Sequence, residues 1–560
     1  MSATRCFRHL RVAFAAGALV LVLAAPAPPA GAVTLPSGFA LETLPWTLDV
    51  PTDLAFLPDG RLLVAQKGGV VLALTANTQT VLWDGNLEVL DTDDRGLLGI
   101  AVDPNFNVNR YVYFLYSVDP DSNGVEFDNY DDTFARLTRY QVSAANPDTI
   151  DPASRTILLG FDWPHGFPDG SGKHVAARLL FAYDGSLLIG AGEGAHDDAL
   201  DAGGRDAGLF TAGRTDLAQN IGSFRAQQLA SLDGKILRID PATGLGLPSN
   251  PYWDGNGASN RSRVWLYGFQ HPFRFALKPG TGSTIMSAGA PGTLYVGDVG
   301  WNTWEEIDVA ASGGKNFGWP CYEGKLTQPQ YQAATPSACG CATLGTVSNP
   351  ALASAPLLAI HHTRDSLSTP KGVAGACIVP GIYYTGTRYP PAYRNNLFVG
   401  DFMNGWIKVL ATNSSDQFVA LYDFATESDA PVAFAADPSN GDLWYIALAT
   451  GLIHHIRFDG LSAVNESTPP CLSLSNPYPN PTRSGIRFAL ALPRAAEVRF
   501  EVYDLAGRRV WSDDARAAGP GSVMLSWDGS TPAGRAGAGL YFARVTAAGA
   551  TAIARFAIVR

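Results

Sequence analysis

Charged residues are scarce in this chain: Asp, Glu, Lys and Arg make up 16% of its 560 amino acids, and the net charge is −11. Nucleic-acid binding calls for a concentrated basic face, which a mildly acidic chain does not provide. Long charged stretches and long Ala- and Leu-rich stretches are also scarce, which disfavours a mainly helical protein. We therefore expect no nucleic-acid partner and few helices.

Long apolar runs are missing as well, except near the N-terminus. The first eleven residues carry three arginines, residues 12–25 are apolar, and Ala30-Gly-Ala32 is a small-residue cleavage pattern. This order is typical of a secretory signal peptide, so residues 1–32 are predicted to be one and the mature protein to be secreted or on the cell surface. The alternative is a membrane anchor, but the run is short for a span and several prolines follow it.

Cysteine is rare: there are six, and one of them falls in the predicted signal peptide. Because an exported protein can form disulfides, Cys321 could pair with Cys339 or with Cys341 and clamp a long loop. The short Cys339-Gly-Cys341 spacing lacks a second ligand pair, so it does not predict a zinc site.

Glycine and proline are abundant, with 59 and 38 residues, and they punctuate a pattern that recurs between about residues 34 and 460. An apolar strand leads into Asp-Gly or Asp-Pro, and an alternating strand follows, as in 54–64, 179–189 and 434–446. Asp-Gly suits the tight turn of a hairpin, and repeated hairpins without helices are typical of propeller blades. The sequence predicts an all-β protein with a β-propeller over residues 33–460.

The pattern changes after the predicted propeller. Residues 461–470 are polar and Pro-rich and are predicted to be a linker, and residues 471–560 hold short alternating strands that predict a small Ig-like β-sandwich. The motifs Tyr478-Pro-Asn-Pro481, Trp527-Asp-Gly529 and Gly537-Ala-Gly-Leu-Tyr541 resemble the hook-capping-type Ig-like and type IX sorting domains of exported bacterial proteins. The resemblance implies secretion machinery or cell-surface attachment as partners; a carbohydrate-binding or spacer sandwich is the alternative.

Ordered motifs run through the predicted propeller. They include Gly96-Leu-Leu-Gly-Ile-Ala101, Asp233-Gly-Lys-Ile-Leu-Arg-Ile-Asp240, Gly297-Asp-Val-Gly-Trp-Asn302, Gly313-Gly-Lys-Asn-Phe-Gly-Trp-Pro320 and Asn396-Leu-Phe-Val-Gly-Asp401. In number and order they resemble the PQQ-dependent glucose/sorbosone dehydrogenase family over almost the whole body. The resemblance implies six blades, PQQ as the cofactor, a Ca²⁺ ion that polarises the quinone, and a sugar or related polyol as the substrate.

The resemblance also points to one candidate base. In the family it lies in a His-x-Gly-x-Leu-x-Phe context before an Asp-Gly turn, and the matching stretch here runs from His174 to Phe181. His174 is therefore the candidate that removes the hydroxyl proton while hydride leaves the substrate carbon. A structural histidine at this position is the alternative.

Four positions match the calcium ligands of the family. They are the main-chain carbonyls of Gly300, Trp301 and Phe317 and the carboxylate of Glu306. Oxygen ligands suit a hard cation such as Ca²⁺, and carbonyl ligands do not depend on side-chain identity. A purely structural Glu306 is the alternative. The acidic loop 197–201, with Glu193 and Asp206, is either a second calcium site or a solvated loop.

The chain departs from the family pattern around the cofactor. Gln270 and His271 replace the Arg-Asn pair that reaches PQQ, and Asp94-Arg95 stand where the family has glutamine, so Arg95, Gln270 and His271 are the candidate cofactor-binding residues. The arginines expected in the last blade are missing from residues 427–432. Burying the three carboxylates of PQQ without cationic partners is costly.

Two hypotheses follow from these observations. The first is an exported PQQ- and calcium-dependent oxidoreductase that oxidises a sugar or related alcohol and passes electrons to an unidentified acceptor. The alternative is a non-catalytic propeller that has lost the cofactor and binds carbohydrate or protein.

Overall fold

The computed structural model divides into two compact units, Met1–Phe458 and Asp459–Arg560. The structure describes residues 33–120, 122, 133–169, 171–205, 210, 217–334, 339–346, 349–460, 473–474, 477, 480–483, 485–492, 496–513, 516–518, 521–532, 534–547 and 549–559. The predicted signal peptide and the predicted linker 461–470 lie outside these residues. None of the described helices has the length and apolar character of a membrane span.

Apart from one two-stranded hairpin, the described strands of the first unit form six antiparallel sheets, which we number as blades in chain order. After β1 (Phe39–Thr43), blade 1 contains β2 (Pro51–Phe56), β3 (Leu62–Gln66), β4 (Val70–Leu74) and β5 (Gln79–Asp84). Blade 2 contains β6 (Leu97–Val102), β7 (Tyr111–Ser117), β8 (Phe134–Val142), β9 (Ile150–Leu159) and β10 (Phe167–Pro168). Blade 3 contains β11 (Ala176–Phe181), β12 (Leu187–Ala191), β13 (Lys235–Ile239) and β14 (Val264–Tyr267).

The remaining blades follow the same plan. Blade 4 contains β15 (Pro272–Leu277), β16 (Leu294–Asp298), β17 (Trp304–Ala310) and, after the hairpin β18 (Tyr322–Glu323) and β19 (Leu326–Thr327), β20 (Leu358–His361). Blade 5 contains β21 (Ile378–Tyr384), β22 (Asn396–Asp401), β23 (Trp406–Thr412) and β24 (Phe418–Ala425). Blade 6 contains β25 (Pro431–Ala436), β26 (Leu443–Ala447) and β27 (Leu452–Phe458), and β1 completes it.

The six sheets form a ring. The first strands of neighbouring blades pack in the order β2, β6, β11, β15, β21 and β25, and β25 packs against β2. These inner strands are largely buried, whereas the outermost strands β5, β9 and β24 contain both exposed and buried residues. The predicted all-β, six-bladed propeller is confirmed. The repeated hairpins of the sequence correspond to paired strands within the blades.

Helices in the described part of the first unit are short. The α-helices are α1 (Phe106–Asn109), α2 (Asn260–Arg263) and α3 (Pro329–Ala333), and the 3₁₀ turns are Trp163–His165, Leu217–Gln219, Gly222–Gln227, Met286–Ala288, Cys341–Thr343, Asp365–Leu367 and Pro391–Tyr393. Asp-Gly turns instead join the paired strands. Gly60 and Gly185 close hairpins with φ of 88° and 83°, a left-handed conformation that glycine adopts without strain.

Five inner strands share an irregularity close to their first residue. The pairing register shifts across Thr52, Leu98, Ala177, Phe273 and Val432 in blades 1, 2, 3, 4 and 6. A bulge of this kind frees the extra residue from the regular ladder of hydrogen bonds.

A long insertion between β17 and β20 carries a disulfide. Cys321 pairs with Cys341, which settles the open choice between Cys339 and Cys341. The enclosed segment carries β18, β19 and α3, and its Tyr331 packs against Trp301 and Trp319.

The second unit contains two sheets that share one core. One sheet has β28 (Ser473–Leu474), β29 (Ile486–Leu492) and β33 (Gly521–Trp527). The other has β30 (Ala496–Asp504), β31 (Arg509–Ser512), β32 (Arg516–Ala518), β36 (Gly539–Ala547) and β37 (Ala550–Ile558), and β34 (Ser530–Thr531) with β35 (Gly534–Arg535) forms a separate hairpin. Phe488, Phe500, Trp527 and Phe556 are buried between the two sheets.

Candidate active site

Loops from blades 2, 3 and 4 meet at one end of the ring, which we call the mouth: residues 92–96, 172–175, 192–197, 269–271 and 299–301. Hydrogen bonds link these loops directly. Asp94 N donates to Gly172 O at 3.0 Å, and Glu193 N donates to Gln270 O at 2.8 Å. The Trp301 indole donates to Asp197 O at 2.8 Å. The mouth is therefore a single structural region assembled from distant parts of the sequence.

His174 lies at the start of blade 3 and is fully buried at the mouth. Its φ of 50° is left-handed, which is unusual for a residue with a side chain and recurs at functional sites. The main chain is held on both sides, because His174 N donates to Asp94 Oδ2 at 3.2 Å and Gly194 N donates to His174 O at 3.1 Å. The loop thus fixes the imidazole at a defined position.

Glu193 orients the imidazole of His174. Glu193 Oε1 lies 2.9 Å from His174 Nδ1, and the Trp319 indole donates to Glu193 Oε2 at 3.2 Å. A carboxylate accepts from Nδ1–H, so the hydrogen-bond network assigns the proton of neutral His174 to Nδ1 and leaves Nε2 as an acceptor. His174 Nε2 is buried and has no hydrogen-bond partner.

The charges around His174 favour its protonated form. Burial alone would lower the pKa of His174, but the hydrogen bond and charge of Glu193, with Asp197 and Asp94, outweigh it and raise the pKa above its ordinary value. His174 is thus suited to accept a proton through Nε2 and to hold it as an imidazolium.

Gln270 and His271 stand next to His174. Their main-chain N–H groups donate to the carboxylate of Asp298 at 2.9 and 2.6 Å, which fixes the loop before β15. The His271 and His174 rings lie 5.4 Å apart between centroids. Burial, followed by the charges of His174 and Arg274, holds the pKa of His271 well below its ordinary value, so His271 is neutral.

Several polar atoms at the mouth are buried without a hydrogen-bond partner in the structure. They are Asp94 Oδ1, His174 Nε2, both amide atoms of Gln270, and His271 Nε2. Buried polar groups are normally satisfied, and a cluster of open ones beside a perturbed histidine indicates a ligand site. The set offers both donors and acceptors without a net positive charge, which suits the hydroxyl groups of a polyol.

A glycine permits this close arrangement. A Cβ on Gly192 would lie 2.0 Å from the carbonyl oxygen of His174 and 2.9 Å from Cδ2 of His271. Because the nearest of these atoms belongs to the main chain, only glycine fits between the two histidine loops.

The four candidate calcium positions are spread over blade 4. Gly300 and Trp301 are at the mouth in the β16–β17 connection, whereas Phe317 stacks on Phe269 with ring centroids 4.9 Å apart. Glu306 in β17 is buried, accepts from Gly324 N, and is paired across the sheet with Asp298. Within the described residues, no three His, Cys, Asp or Glu side chains are grouped so as to hold a metal ion. Calcium therefore remains a proposal.

Arg95 is engaged away from the open atoms. Its Nε donates to Asp169 Oδ1 at 3.1 Å, its Nη2 donates to Asp169 O at 2.8 Å, and its Nη1 donates to Thr92 Oγ1 at 3.2 Å. The guanidinium is buried in these contacts, so it braces the loop before β6.

Two functional residues were not singled out individually from the sequence. Glu193 was considered only as part of an acidic loop that could bind calcium, yet it is the partner of His174. Asp94 was noted only as a departure from the family glutamine. The local signal for Glu193 is its place between Gly192 and Gly194 directly after the buried strand β12, where a carboxylate has room to approach a neighbouring loop.

The comparisons with known proteins agree with this architecture. The quinoprotein glucose dehydrogenase B of Acinetobacter calcoaceticus is 24% identical over 297 residues, which cover 52% of this chain and 54% of that protein. The Hedgehog-interacting protein of Homo sapiens is 25% identical over 255 residues, which cover 43% of this chain and 32% of that protein. The chain spans about half the length of several curated relatives, or less.

A solved structure shares the fold. The soluble aldose sugar dehydrogenase of Escherichia coli, in its apo-form, has a TM-score of 0.51 and 19% identity, and the match covers 75% of this chain and 99% of that one. The sequence model described as glucose/sorbosone dehydrogenase matches residues 48–449, which include every strand of the six blades except β1 and β27. This chain therefore belongs to the glucose/sorbosone dehydrogenase family.

Proposed function

We propose that this protein is an oxidoreductase that oxidises a hydroxyl group of a sugar or related alcohol, with His174 as the base. The observation that carries the proposal is the buried His174–Glu193 pair, whose open Nε2 stands beside the open atoms of Gln270 and His271. Membership of the glucose/sorbosone dehydrogenase family supports the reaction class.

The chemistry of the chain's own residues concerns the proton. His174 Nε2 accepts the hydroxyl proton as the carbon–oxygen bond gains double-bond character, and the hydride leaves the same carbon for a two-electron acceptor. Glu193 stabilises the imidazolium that forms, and Gln270 and neutral His271 orient the other hydroxyl groups. The raised pKa of His174 makes it the stronger base of the two histidines.

The residues near the mouth match the proposed reaction better than they match PQQ as the electron acceptor. PQQ, which the family resemblance implies, carries three carboxylates that need cationic partners when they are buried. The basic side chains near the mouth are already engaged: Arg95 with Asp169, Lys173 with Asp93, Arg178 with Asp53, and Arg274 with main-chain carbonyls. These residues therefore do not fit PQQ in the way that the family pattern implies.

This mismatch favours a second candidate function, a propeller that binds a carbohydrate or a protein without oxidising it. The open amide and imidazole atoms of Gln270 and His271 fit the hydroxyl groups of a polyol, whereas a tricarboxylate needs cationic partners. The human relative is named for an interaction with Hedgehog, and this name supports protein binding as a form of the second candidate function.

One experiment separates the two candidates. PQQ and Ca²⁺ are added to the purified protein, the cofactor absorbance is followed, and turnover is assayed on a panel of sugars and polyols with a redox dye. An oxidoreductase shows sugar-dependent dye reduction. Carbohydrate binding by calorimetry without PQQ binding or dye reduction supports the second function and contradicts the first.

His174→Ala tests the assigned base. We expect turnover to fall on the order of 10²-fold or more at temperatures where the variant remains folded, because the variant removes the proton acceptor and leaves the main-chain hydrogen bonds of the loop in place. His454→Ala is the matched control, since His454 is also buried with an open Nε2 but lies in β27 of blade 6. Equal activity of the His174→Ala variant and the wild type would contradict the assignment.

We also propose export through residues 1–32 and a sorting or surface-attachment role for residues 471–560. The signal-like order of residues 1–32 and the sorting-domain motifs of the tail support this proposal. Expression of the full gene in its host, followed by N-terminal sequencing of the secreted and cell-bound protein, tests both.

A further inference from the structure

Arg274 occupies the centre of the propeller. It is the third residue of β15, and its side chain is buried. All five N–H groups of the guanidinium donate to main-chain carbonyls. Nε donates to Val432 O at 3.2 Å, Nη1 to Ala177 O and Phe273 O at 3.0 Å each, and Nη2 to Thr52 O at 2.7 Å and Leu98 O at 3.3 Å.

The five acceptors have one structural property in common. They are the residues across which the register shifts in blades 1, 2, 3, 4 and 6. A bulge withdraws a carbonyl from the ladder, and a buried carbonyl without a partner is costly. One guanidinium therefore satisfies the freed carbonyls of five blades at the same point.

The electrostatic surroundings are consistent with a permanent cation at this point. Burial lowers the pKa of Arg274 to about 10, and the charge of Asp53 opposes this. Arg274 is therefore charged at neutral pH. The ring of Phe273 lies 4.1 Å from the guanidinium carbon and adds a cation–π contact. In blade 5, Cys377 precedes β21 and contributes to the same environment.

Three of the carbonyls belong to strands that carry the mouth. Leu98 follows Asp94 by four residues, Ala177 follows His174 by three, and Phe273 follows His271 by two. On three separate blades, a residue with an open polar atom at the mouth thus lies two to four residues before a carbonyl that accepts from the Arg274 guanidinium. These three inner strands, β6, β11 and β15, lie in three different sheets and are not paired with each other.

We propose that Arg274 is a positioning residue for the mouth: it gathers the bulge carbonyls of five blades and thereby fixes the loops that hold Asp94, His174 and His271 relative to one another. The proposal concerns geometry only and does not depend on whether the ligand is oxidised or merely bound.

Hydrogen–deuterium exchange of the full chain tests this role with Arg274→Ala. Peptides covering residues 92–98, 172–178 and 269–274 are expected to exchange about tenfold faster or more, whereas those in the outer strands β5, β9 and β24 keep the wild-type rate. Unchanged exchange at the mouth, or a uniform rise over the whole propeller, overturns the proposal.

Arg238→Ala is the matched control. Arg238 is equally buried and also uses all three nitrogens, but its partners are Asp184, Ser186, Ser249, Asn250 and Met286 O, on the side of blade 3. We expect this variant to lose stability without faster exchange at the mouth. Faster exchange of the same mouth peptides in this variant would show a general effect of losing a buried arginine.

Guanidinium rescue supplies a second readout that a merely structural loss would not give. Free guanidinium at millimolar concentration is expected to restore mouth protection in Arg274→Ala, because it presents the same planar donors to the same carbonyls. Potassium chloride at equal concentration is expected to have no such effect. If Arg274→Ala does not fold, Arg274→Lys is measured instead: its three donors predict intermediate exchange at the mouth, and wild-type exchange there overturns the proposal.

Discussion

At the scale of single residues, Glu193 decides how the neighbouring imidazole behaves. Its carboxylate touches His174 with one oxygen and accepts from the Trp319 indole with the other. Burial on its own favours a neutral imidazole, so the raised pKa of His174 depends on this neighbour. The pair therefore gives the mouth a pH dependence with a defined direction.

Glu193→Gln is expected to lower the pKa of His174 and, with it, the pH at which turnover begins. The amide can still accept from His174 Nδ1, but it carries no charge, so burial prevails and the pKa of His174 falls. Because the base must be neutral, the acid side of the turnover profile, which we expect above about pH 6.5 in the wild type, moves to lower pH. A profile that stays in place would show that another group sets it.

The same change has a readout that needs no turnover. A histidine whose pKa is raised on folding stabilises the protein below its unfolded pKa of about 6.5, and this contribution is lost as the pH rises through the folded pKa. We therefore expect the difference in melting temperature between wild type and Glu193→Gln to be largest below about pH 6.5 and to narrow at higher pH. A difference that grows with pH would contradict the assignment.

Residues also show why the site is only partly predictable from sequence. His174 and His271 are placed together because each comes directly before an inner strand, a position that the hairpin pattern reveals. The partner of Arg95 is a carboxylate on a distant loop, and nothing near Arg95 in the sequence names Asp169 as its acceptor. Ion pairing is decided by tertiary packing, so cofactor contacts inferred from local motifs stay predictions.

At the scale of elements, the insertion between β17 and β20 packs beside the mouth. Tyr331 in α3 contacts the rings of Trp301 and Trp319, and Trp319 in turn contacts Glu193. The Cys321–Cys341 disulfide ties the two ends of the segment that carries Tyr331. The insertion is thus connected to His174 through the Tyr331–Trp319 ring contact and the hydrogen bonds of Glu193 with Trp319 and His174.

Replacing Cys321 and Cys341 together by alanine is expected to lower the free energy of unfolding of the first unit by about 2–4 kcal/mol, because the unfolded chain regains the freedom of a closed loop. Proteolysis within residues 322–340 should become faster in parallel. Cys339→Ser is the control, since Cys339 is buried but outside the disulfide and its thiol donates to Phe224 O at 3.6 Å. Equal denaturant midpoints for the double variant and the wild type would contradict a stabilising clamp.

The strands and turns were more predictable from the sequence than the β-bulges. The Asp-Gly and Asp-Pro turns mark the hairpins because few residues adopt the required backbone angles. The bulges at Thr52 and Val432 each follow a proline that begins the strand, but a proline at the first residue of a strand also occurs without a bulge. Their carbonyls accept from Arg274, a residue of another blade, and the sequence of a single strand does not reveal that contact.

At the scale of the whole molecule, the ring is closed by pairing between its two ends. β1 pairs with β27 from Phe39 opposite Phe458 to Thr43 opposite His454. Deleting residues 33–45 would leave β27 as an open edge, which we expect to lower the melting temperature of the propeller and to promote association of molecules. Calorimetry and size-exclusion chromatography measure the two effects.

Deleting residues 459–560 is the matched control, because these residues form the second compact unit. We expect the propeller without them to keep its melting temperature. A larger loss of stability from the second deletion than from the first would contradict the role assigned to β1.

The pairing of β1 with β27 also sets an order of events during synthesis. The outermost strand of blade 6 is made first and its partner more than four hundred residues later, so the ring cannot close until the ribosome has passed residue 458. The same arrangement means that the start and end of the ring lie side by side in one sheet. A circularly permuted gene that joins these ends and opens the Asp59-Gly60 turn should encode a propeller with the same six blades.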